Sequence, residues 1–531
     1  MSLRLAKCVS SPVYSVSGQP SLGLLSSRWK STASGQVAHD EGQEGATAKP
    51  FEAIPGPKGL PLVGTALHAA MGGWMDKFHL HMQNRWRQYG SIYKEIIGPQ
   101  EIVCMFDPED VAAVLRAEGR YPRRHSVDSF YLAREIMGHK LGVLLENDEK
   151  WQQYRTVMNK KLLRPQQAAA FTPMMDEAAS NFMSYLRRKR DQGGMVTDLQ
   201  AHLFRWAMEC KYQIQCICIY IAAGCTAMFN QHLGLLSEDP PQLAKDFISC
   251  SMAILDTTNT MMTIPPKVHK ALNTNAWKEH LEGWQTSFRV TKQLIEEIME
   301  RELKKENEED EEISDLVSYL LSVKLRPEEV LANIVDVLGG AVDTTSNTMA
   351  FTMHTLARHP DIQEKLHDEV MRVAPDRQAP VTQEQVQKMP YLRGVIKEIL
   401  RLYPVAYIFS RVLNHDAVVH GYKIPAGTNL VVCPYVMGRD PKSYDNPEEF
   451  RPERWYRENR ESVKAFSWLP FGFGARGCVG RRIAETEMHL VLIRICQNFV
   501  LEQKKDEELV GRIRLVLIPD KSVDLKLTDR N

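Results

Sequence analysis

The sequence predicts a mainly α body carrying small β-sheets, on three observations. From about Glu149 onward apolar residues recur at helical rather than alternating spacing. One apolar stretch, Ala332 to Ala357, is too long for a strand and too often interrupted by polar residues to cross a membrane. The runs rich in β-branched residues are short and bounded by turn chemistry, as at Val418 to Pro425 and Leu430 to Cys433.

Along the chain, Met1 to His39 holds no Asp or Glu but carries Arg4, Lys7, Arg28 and Lys30 among many serines. Basic, serine-rich and acid-poor is the composition of a mitochondrial transit peptide. Residues 1–35 are read as that peptide, with cleavage expected near Arg28 to Ser31, and residues 36–50 as a polar linker. Near the start there is no apolar run of the kind a secretory signal or a spanning helix needs. The body is expected to occupy residues 51–531. It opens on Ile54-Pro55-Gly56-Pro57-Lys58-Gly59-Leu60-Pro61, whose prolines forbid helix and make a stiff lead-in. A strand follows at Ile102 to Phe106, and a helix within Val381 to Leu402 is expected to start after Pro390. Lys304 to Glu312 is a solvated charged run. Gly427-Thr428-Asn429 is a turn, and Ile483 to Ile495 is a helix.

Composition narrows the function classes. Hydrophobic residues make up 44% of 531 residues, enough for a large core. Lys+Arg and Asp+Glu both total 66, so no global charge excess argues for nucleic acid, and charge-based docking must use a local patch. The 10 cysteines form no CxxC pair and no regular framework. Most are expected to be reduced, buried thiols.

One cysteine has unusual neighbours: Phe471-Gly472-Phe473-Gly474-Ala475-Arg476-Gly477-Cys478-Val479-Gly480-Arg481-Arg482. The glycines let this backbone approach a flat partner closely. A thiolate at the tip is a strong iron ligand, and surrounding N–H groups spread its charge. Arg476 supplies a permanent cation for an acidic cofactor edge. The following helix would aim its positive end at the thiolate. A second constellation, Gly339-Gly340-Ala341-Val342-Asp343-Thr344-Thr345, places a carboxyl and a hydroxyl at an expected helix kink. Such a pair can relay protons from solvent.

The cysteine segment matches FxxGxRxCxG, the heme-ligand signature of the cytochrome P-450 superfamily, and the chain resembles that family from about Ile54 to its end. Glu398-Ile399-Leu400-Arg401 matches the family's ExxR helix, and Arg454, in Phe450 to Trp455, matches the residue that completes a triad with Glu398 and Arg401. Trp151-Gln152-Gln153-Tyr154-Arg155 matches WxxxR. The resemblance implies the cytochrome P-450 fold and heme b, with Cys478 as axial ligand of its iron. It also implies Trp151, Arg155, Arg411 and Arg476 along the heme edge, and proton handling by Asp343 and Thr344. Ala341 stands where the family more often has Gly, which is expected to narrow the oxygen groove. Ser129 to Val143, the region around Ala341, and Val405 to Phe409 are expected to line the pocket.

Two features resemble the mitochondrial branch: the transit-like start, and Arg393 and Lys397 in the ExxR helix, where relatives dock an acidic 2Fe–2S ferredoxin fed by an NADPH-dependent reductase. Arg481 and Arg482 are expected to extend that patch. Met261 to Phe288 is similar to the vitamin D 24-hydroxylase and sterol enzymes, including the sterol 27-hydroxylase group, and Gly138 to Val143 to the steroid 11β-hydroxylase group. The resemblance therefore implies hydroxylation of a sterol, steroid or secosteroid by a protein peripheral to the inner mitochondrial membrane on its matrix side, with no nucleic-acid partner. Two alternatives stand beside it: a heme-thiolate isomerase or dehydratase needing no external electrons, against which Asp343-Thr344 argues, and an apolar-ligand binder without turnover. One segment departs from the family. Lys211 to Ala223 lengthens the interval between Glu209 and Gly234, either as a real insertion or as an unspliced intron.

Overall fold

The computed structural model describes residues 48–530 except 60–63, 66–74, 98–99, 126, 218–234, 305–319, 321–322, 324 and 505. The transit-peptide reading of residues 1–35, most of the 36–50 linker and nearly all of the charged run at 304–312 lie outside the described residues. A compact unit spans Ala48–Asn531.

Proline punctuation sets several helix starts. The principal helices are α1 (Phe78–Tyr89), α2 (Pro108–Arg116), α3 (Asp128–Met137), α4 (Asp148–Leu162), α5 (Thr172–Lys189), α6 (Leu199–Ile217) and α7 (Gln242–Thr263). They continue with α8 (Pro266–Ala271), α9 (Asn275–Lys304), α10 (Pro327–Arg358), α11 (Pro360–Val373), α12 (Pro390–Leu402) and α13 (Arg481–Asn498). Pro108, Pro327, Pro360 and Pro390 occupy first turns, where a missing N–H has no helical partner to lose. The helix expected after Pro390 thus starts on it. The long apolar stretch expected from Ala332 is α10, which begins five residues earlier because Glu329 accepts from the Arg326 N–H in a capping box. No break interrupts α10 at residues 339–345, where a kink was expected.

The strands are β1 (Ile92–Ile97), β2 (Gln100–Met105), β3 (Met195–Val196), β4 (Phe409–Val412), β5 (Ala417–Val419), β6 (Tyr422–Ile424), β7 (Asn429–Val432), β8 (Phe499–Gln503), β9 (Arg512–Arg514), β10 (Val516–Ile518) and β11 (Leu525–Asp529). The largest sheet has the order β1-β2-β7-β4; β2 and β7 run parallel with Ile102 opposite Asn429, and the other pairs are antiparallel. β3-β11-β8 forms a second sheet, and β5-β6 and β9-β10 are hairpins. Between β5 and β6, His420 (φ 51°) and Gly421 (φ 75°) take the left-handed conformations of a tight hairpin turn. The proline lead-in runs along β1: the Lys94 N–H donates to the Pro55 carbonyl at 2.9 Å, and a Cβ on Gly56 would collide with the Lys94 carbonyl.

α10 crosses the interior and packs against α6, α9 and α12, while α13 packs against α5. One large apolar cluster joins these helices to the first sheet. α6 runs unbroken to Ile217, so the first seven of the thirteen extra residues extend a helix. The Leu235 N–H then donates to Glu209 at 3.0 Å, which brings the chain back to that helix across the extra residues.

Candidate active site

Between α10, α13 and the first sheet lies a mainly apolar cavity of about 700 Å³. Cys478 borders it, as do Gly340, Ala341 and Thr344 of α10 and the segment Val405 to Phe409. Cys478 is exposed, whereas Cys104, Cys210, Cys250, Cys433 and Cys496 are buried. Its loop is built by a 3-10 turn at Gly474–Arg476, and the Cys478 N–H donates to the Phe471 carbonyl at 2.8 Å. Gly472 (φ 65°) and Gly474 (φ 67°) are left-handed, which is why this loop needs glycine there. α13 begins three residues after Cys478, with Gly480 as its N-cap.

Four arginines converge on one side of the cavity: Arg124, Arg155, Arg411 and Arg476. Arg476 donates to the Pro122 carbonyl at 2.8 Å and to Asn147 at 2.6 Å, and its guanidinium lies 3.9 Å from the centre of the buried Trp151 ring. Its remaining terminal nitrogen is buried without a hydrogen-bond partner. Arg155 reaches the Gly477 carbonyl and donates to Asn159 at 2.8 Å, tying α4 to the cysteine loop. Arg411 pairs with Glu118 and donates to the Phe473 carbonyl at 3.2 Å. Burial, then the neighbouring arginines, pushes Arg476 down to about 9; burial, then Arg411, pushes Arg124 down to about 10. A crowd of guanidiniums with an orphaned N–H suits a group that brings its own carboxylates. The residues present therefore fit a cofactor that carries carboxylates, with Cys478 on the same cavity as a thiolate donor for a metal.

Sequence reasoning missed Arg124. No motif surrounds it; it joins the cluster because the fold sets it on the same cavity wall as Arg411 and Arg476. Its side chain also reaches the Leu144 carbonyl.

The carboxyl and hydroxyl expected to act together sit differently. Thr344 faces the cavity, its hydroxyl donating to the Gly340 carbonyl at 3.0 Å. Asp343 is buried, is absent from the cavity wall, and has Arg514 and Asp256 as its nearest influential charges. Consecutive helix positions point about 100° apart, so both side chains cannot share one wall. Burial pushes the Asp343 carboxyl up to about 7. Gly339 and Gly340 leave open space, since a Cβ on either would meet nothing within 4 Å.

Glu398, Arg401 and Arg454 come together as expected. Glu398 pairs with Arg401 at 2.7 Å and Arg454 at 3.1 Å, all three fully buried. On the outer face of α12, Arg393 is exposed and Lys397 half-buried, its ammonium 5.6 Å from the Trp455 ring centre. Arg481 pairs with Glu485 at 3.0 Å, which offsets its share of the patch, while Arg482 is exposed.

The pocket expectation needs one correction. Val405 to Phe409 and Ala341 line the cavity, but of Ser129 to Val143 only the two ends do, through Ser129, Phe130 and Val143. The middle of that range turns away because Arg134 of α3 packs onto Trp284 and Phe288 of α9. Met262 borders the cavity, and Met262, Ile264, Val268 and Leu272 are all exposed apolar side chains. Among the described residues no helix is long and apolar enough to cross a membrane.

A Cytochrome P450 family model matches residues 54–527. The chain is 32% identical to the mitochondrial cholesterol side-chain cleavage enzyme of Oncorhynchus mykiss, over 96% of each chain. It is 32% identical to the mitochondrial cytochrome P450 11B of Aquarana catesbeiana, covering 91% of this chain and 90% of the relative. Cytochrome P450 27C1 of Danio rerio is also 32% identical, covering 92% and 89%. The mainly α architecture, the cysteine loop and the cationic cofactor edge thus have one explanation: the chain belongs to the cytochrome P450 family of heme monooxygenases, resembles its mitochondrial members, and takes heme b as cofactor.

Proposed function

We propose that the protein is a ferredoxin-dependent mitochondrial monooxygenase that hydroxylates an apolar substrate of the sterol, steroid or secosteroid class. The observation that carries this reading is the shared cavity: Cys478, four arginines and Thr344 border one mainly apolar chamber. Cys478 would hold the heme iron through its thiolate. Arg476, Arg411 and Arg124 would hold the carboxylates of the cofactor edge, with Trp151 stacked beneath Arg476 and Arg155 fixing the cysteine loop. Bound there, heme supplies the iron at which dioxygen is cleaved and one oxygen atom inserted into a C–H bond.

The chain's own contribution is positioning and proton supply. Thr344 presents a hydroxyl to the cavity, and Asp343 holds a proton behind it. With its folded pKa raised above the ordinary carboxyl value, Asp343 favours the neutral form in the fold. The stability this contributes is full below the ordinary carboxyl range and lost as pH rises through about 7. Used as a proton donor, it gives a turnover that falls as pH rises through about 7. Asp343→Asn is expected to lower turnover by roughly 10²-fold or more and to flatten that limb. Steady-state rates across pH with saturating ferredoxin check both.

Arg393 and Lys397 are assigned to docking an acidic 2Fe–2S ferredoxin supplied by an NADPH-dependent reductase. Arg393→Glu with Lys397→Glu is expected to raise the KM for ferredoxin about tenfold or more, most at low salt, without altering the carbonyl spectrum. The exposed apolar residues Ile264, Val268 and Leu272, with Lys267 and Lys270 exposed among them, suit peripheral contact with the inner mitochondrial membrane, from which an apolar substrate enters.

The test is reconstitution with heme, ferredoxin, reductase and NADPH, after a spectral binding screen of sterols, secosteroids, steroids, retinoids and fatty acids. Ferredoxin-dependent NADPH consumption with a hydroxylated sterol-class product supports the reading. Product formed without external electrons replaces it with the isomerase or dehydratase, and binding without product replaces it with a ligand carrier.

A further inference from the structure

Asp336, Gly340 and Thr344 recur at four-residue spacing on α10, share one helix face and all border the cavity. Asp336 is not free to meet a ligand. Its carboxylate pairs with Arg134 of α3 at 2.8 Å, both side chains almost wholly buried, and its second oxygen accepts from the Leu144 N–H at 2.8 Å. One turn earlier, Asn333 accepts from the Val143 N–H at 2.9 Å and donates to the Glu329 carbonyl at 2.8 Å. The wall comes this close because residue 142 is glycine: a Cβ there would collide with the Asp336 carboxylate and the Ala332 carbonyl. Arg134 in turn stacks 4.1 Å from the Trp284 ring centre.

The same wall is held from its other side. The Leu144 carbonyl accepts from Arg124, which belongs to the cofactor-edge cluster. One residue, Leu144, with its N–H on Asp336 and its C=O on Arg124, thus links the α10 face that carries Thr344 to the cationic edge. Val143, Leu144 and Leu145 of this segment border the chamber. A buried ion pair gives little net stability compared with apolar packing, so stability alone is a poor reason for this arrangement.

We propose that Asp336 is a positioning residue: with Arg134 and Asn333 it clamps the 142–145 wall to α10 and so fixes the shape of the chamber that orients substrate beside Thr344. This rests on the reading of the cavity as the heme and substrate chamber.

The test uses heme-loaded protein carrying Asp336→Asn, and separately Arg134→Met with Asp336→Asn, which leaves no unpaired buried charge should the single variant fold poorly. Amide exchange at residues 142–146 is compared with exchange in α12, and affinities for imidazole and for the bulky clotrimazole are read from the heme spectrum. The clamp predicts exchange about tenfold faster at 142–146 and unchanged in α12. It also predicts clotrimazole affinity altered about tenfold, with imidazole within twofold. Unchanged exchange, or faster exchange with clotrimazole affinity unchanged, overturns the proposal. Absence of any azole shift in the wild-type protein would sink the cofactor reading instead, and the exchange arm would then decide the clamp alone.

Discussion

Replacing Cys478 with alanine is expected to abolish turnover and the thiolate-type Soret band of the reduced carbonyl complex, while leaving the helical content intact. The side chain borders the cavity and lies outside the apolar core, so its removal opens no core void. The buried cysteines cannot substitute. Burial pushes the thiols of Cys250, Cys433 and Cys496 up to about 12, and that of Cys104 up as well, so none supplies a thiolate near neutral pH. Removing an outer partner of a metal ligand typically costs about 10–100-fold in affinity or activity, and losing the ligand itself must exceed that. Cys478→Ser is the informative companion. An oxygen donor fits the same loop, so heme is expected to stay bound with an altered carbonyl band and turnover still lost. A thiolate-type band surviving in either variant would remove Cys478 from the site.

What was legible in the sequence was whatever depends on neighbours along the chain. The start of α12 follows from Pro390, and the β5–β6 hairpin from His420-Gly421 between two short apolar runs. The cysteine loop follows from its glycines. Contacts made across long intervals were not legible from spacing. β2 pairs in parallel with β7, more than 300 residues away, and nothing local announces it. Arg124 reads as one arginine among many until the fold sets it beside Arg411 and Arg476. Side-chain direction was the other loss. Asp343 and Thr344 are adjacent in sequence and read as one device, yet α10 runs through them without a break and turns them to different faces.

Glu398→Ala is expected to cost about 3–5 kcal/mol, against a total of about 5–15 for an ordinary fold, and to sharply reduce the yield of heme-loaded protein. The carboxylate is a hub. It accepts from Arg401 at 2.7 and 2.9 Å, from Arg454 at 3.1 Å, from the Trp455 indole at 2.8 Å and from the Arg451 N–H at 3.2 Å. The guanidiniums go on to hold backbone carbonyls: Arg401 those of Gly438, Pro447 and Glu449, and Arg454 those of Asp445 and Asn446. Residues 438–455 have little regular structure of their own, so these bonds fix their path against α12. Gly394 permits the approach, since a Cβ there would lie 2.7 Å from the Pro452 carbonyl. Without Glu398, two cations remain buried with no counter-charge, and the segment leading to the cysteine loop loses its anchor. Glu398→Gln keeps the shape and an acceptor but not the charge, so its cost should be smaller yet still large. Glu453 is the control, in the same 3-10 turn as Arg454: it meets Lys365 at 3.2 Å near the surface, and its replacement is expected to cost less than about 1 kcal/mol. Thermal midpoints and the amount of carbonyl-competent protein measure all three. Equal losses at Glu398 and Glu453 would mean that the turn matters and the buried charge does not; a loss confined to Glu398 would assign the effect to the uncompensated guanidiniums.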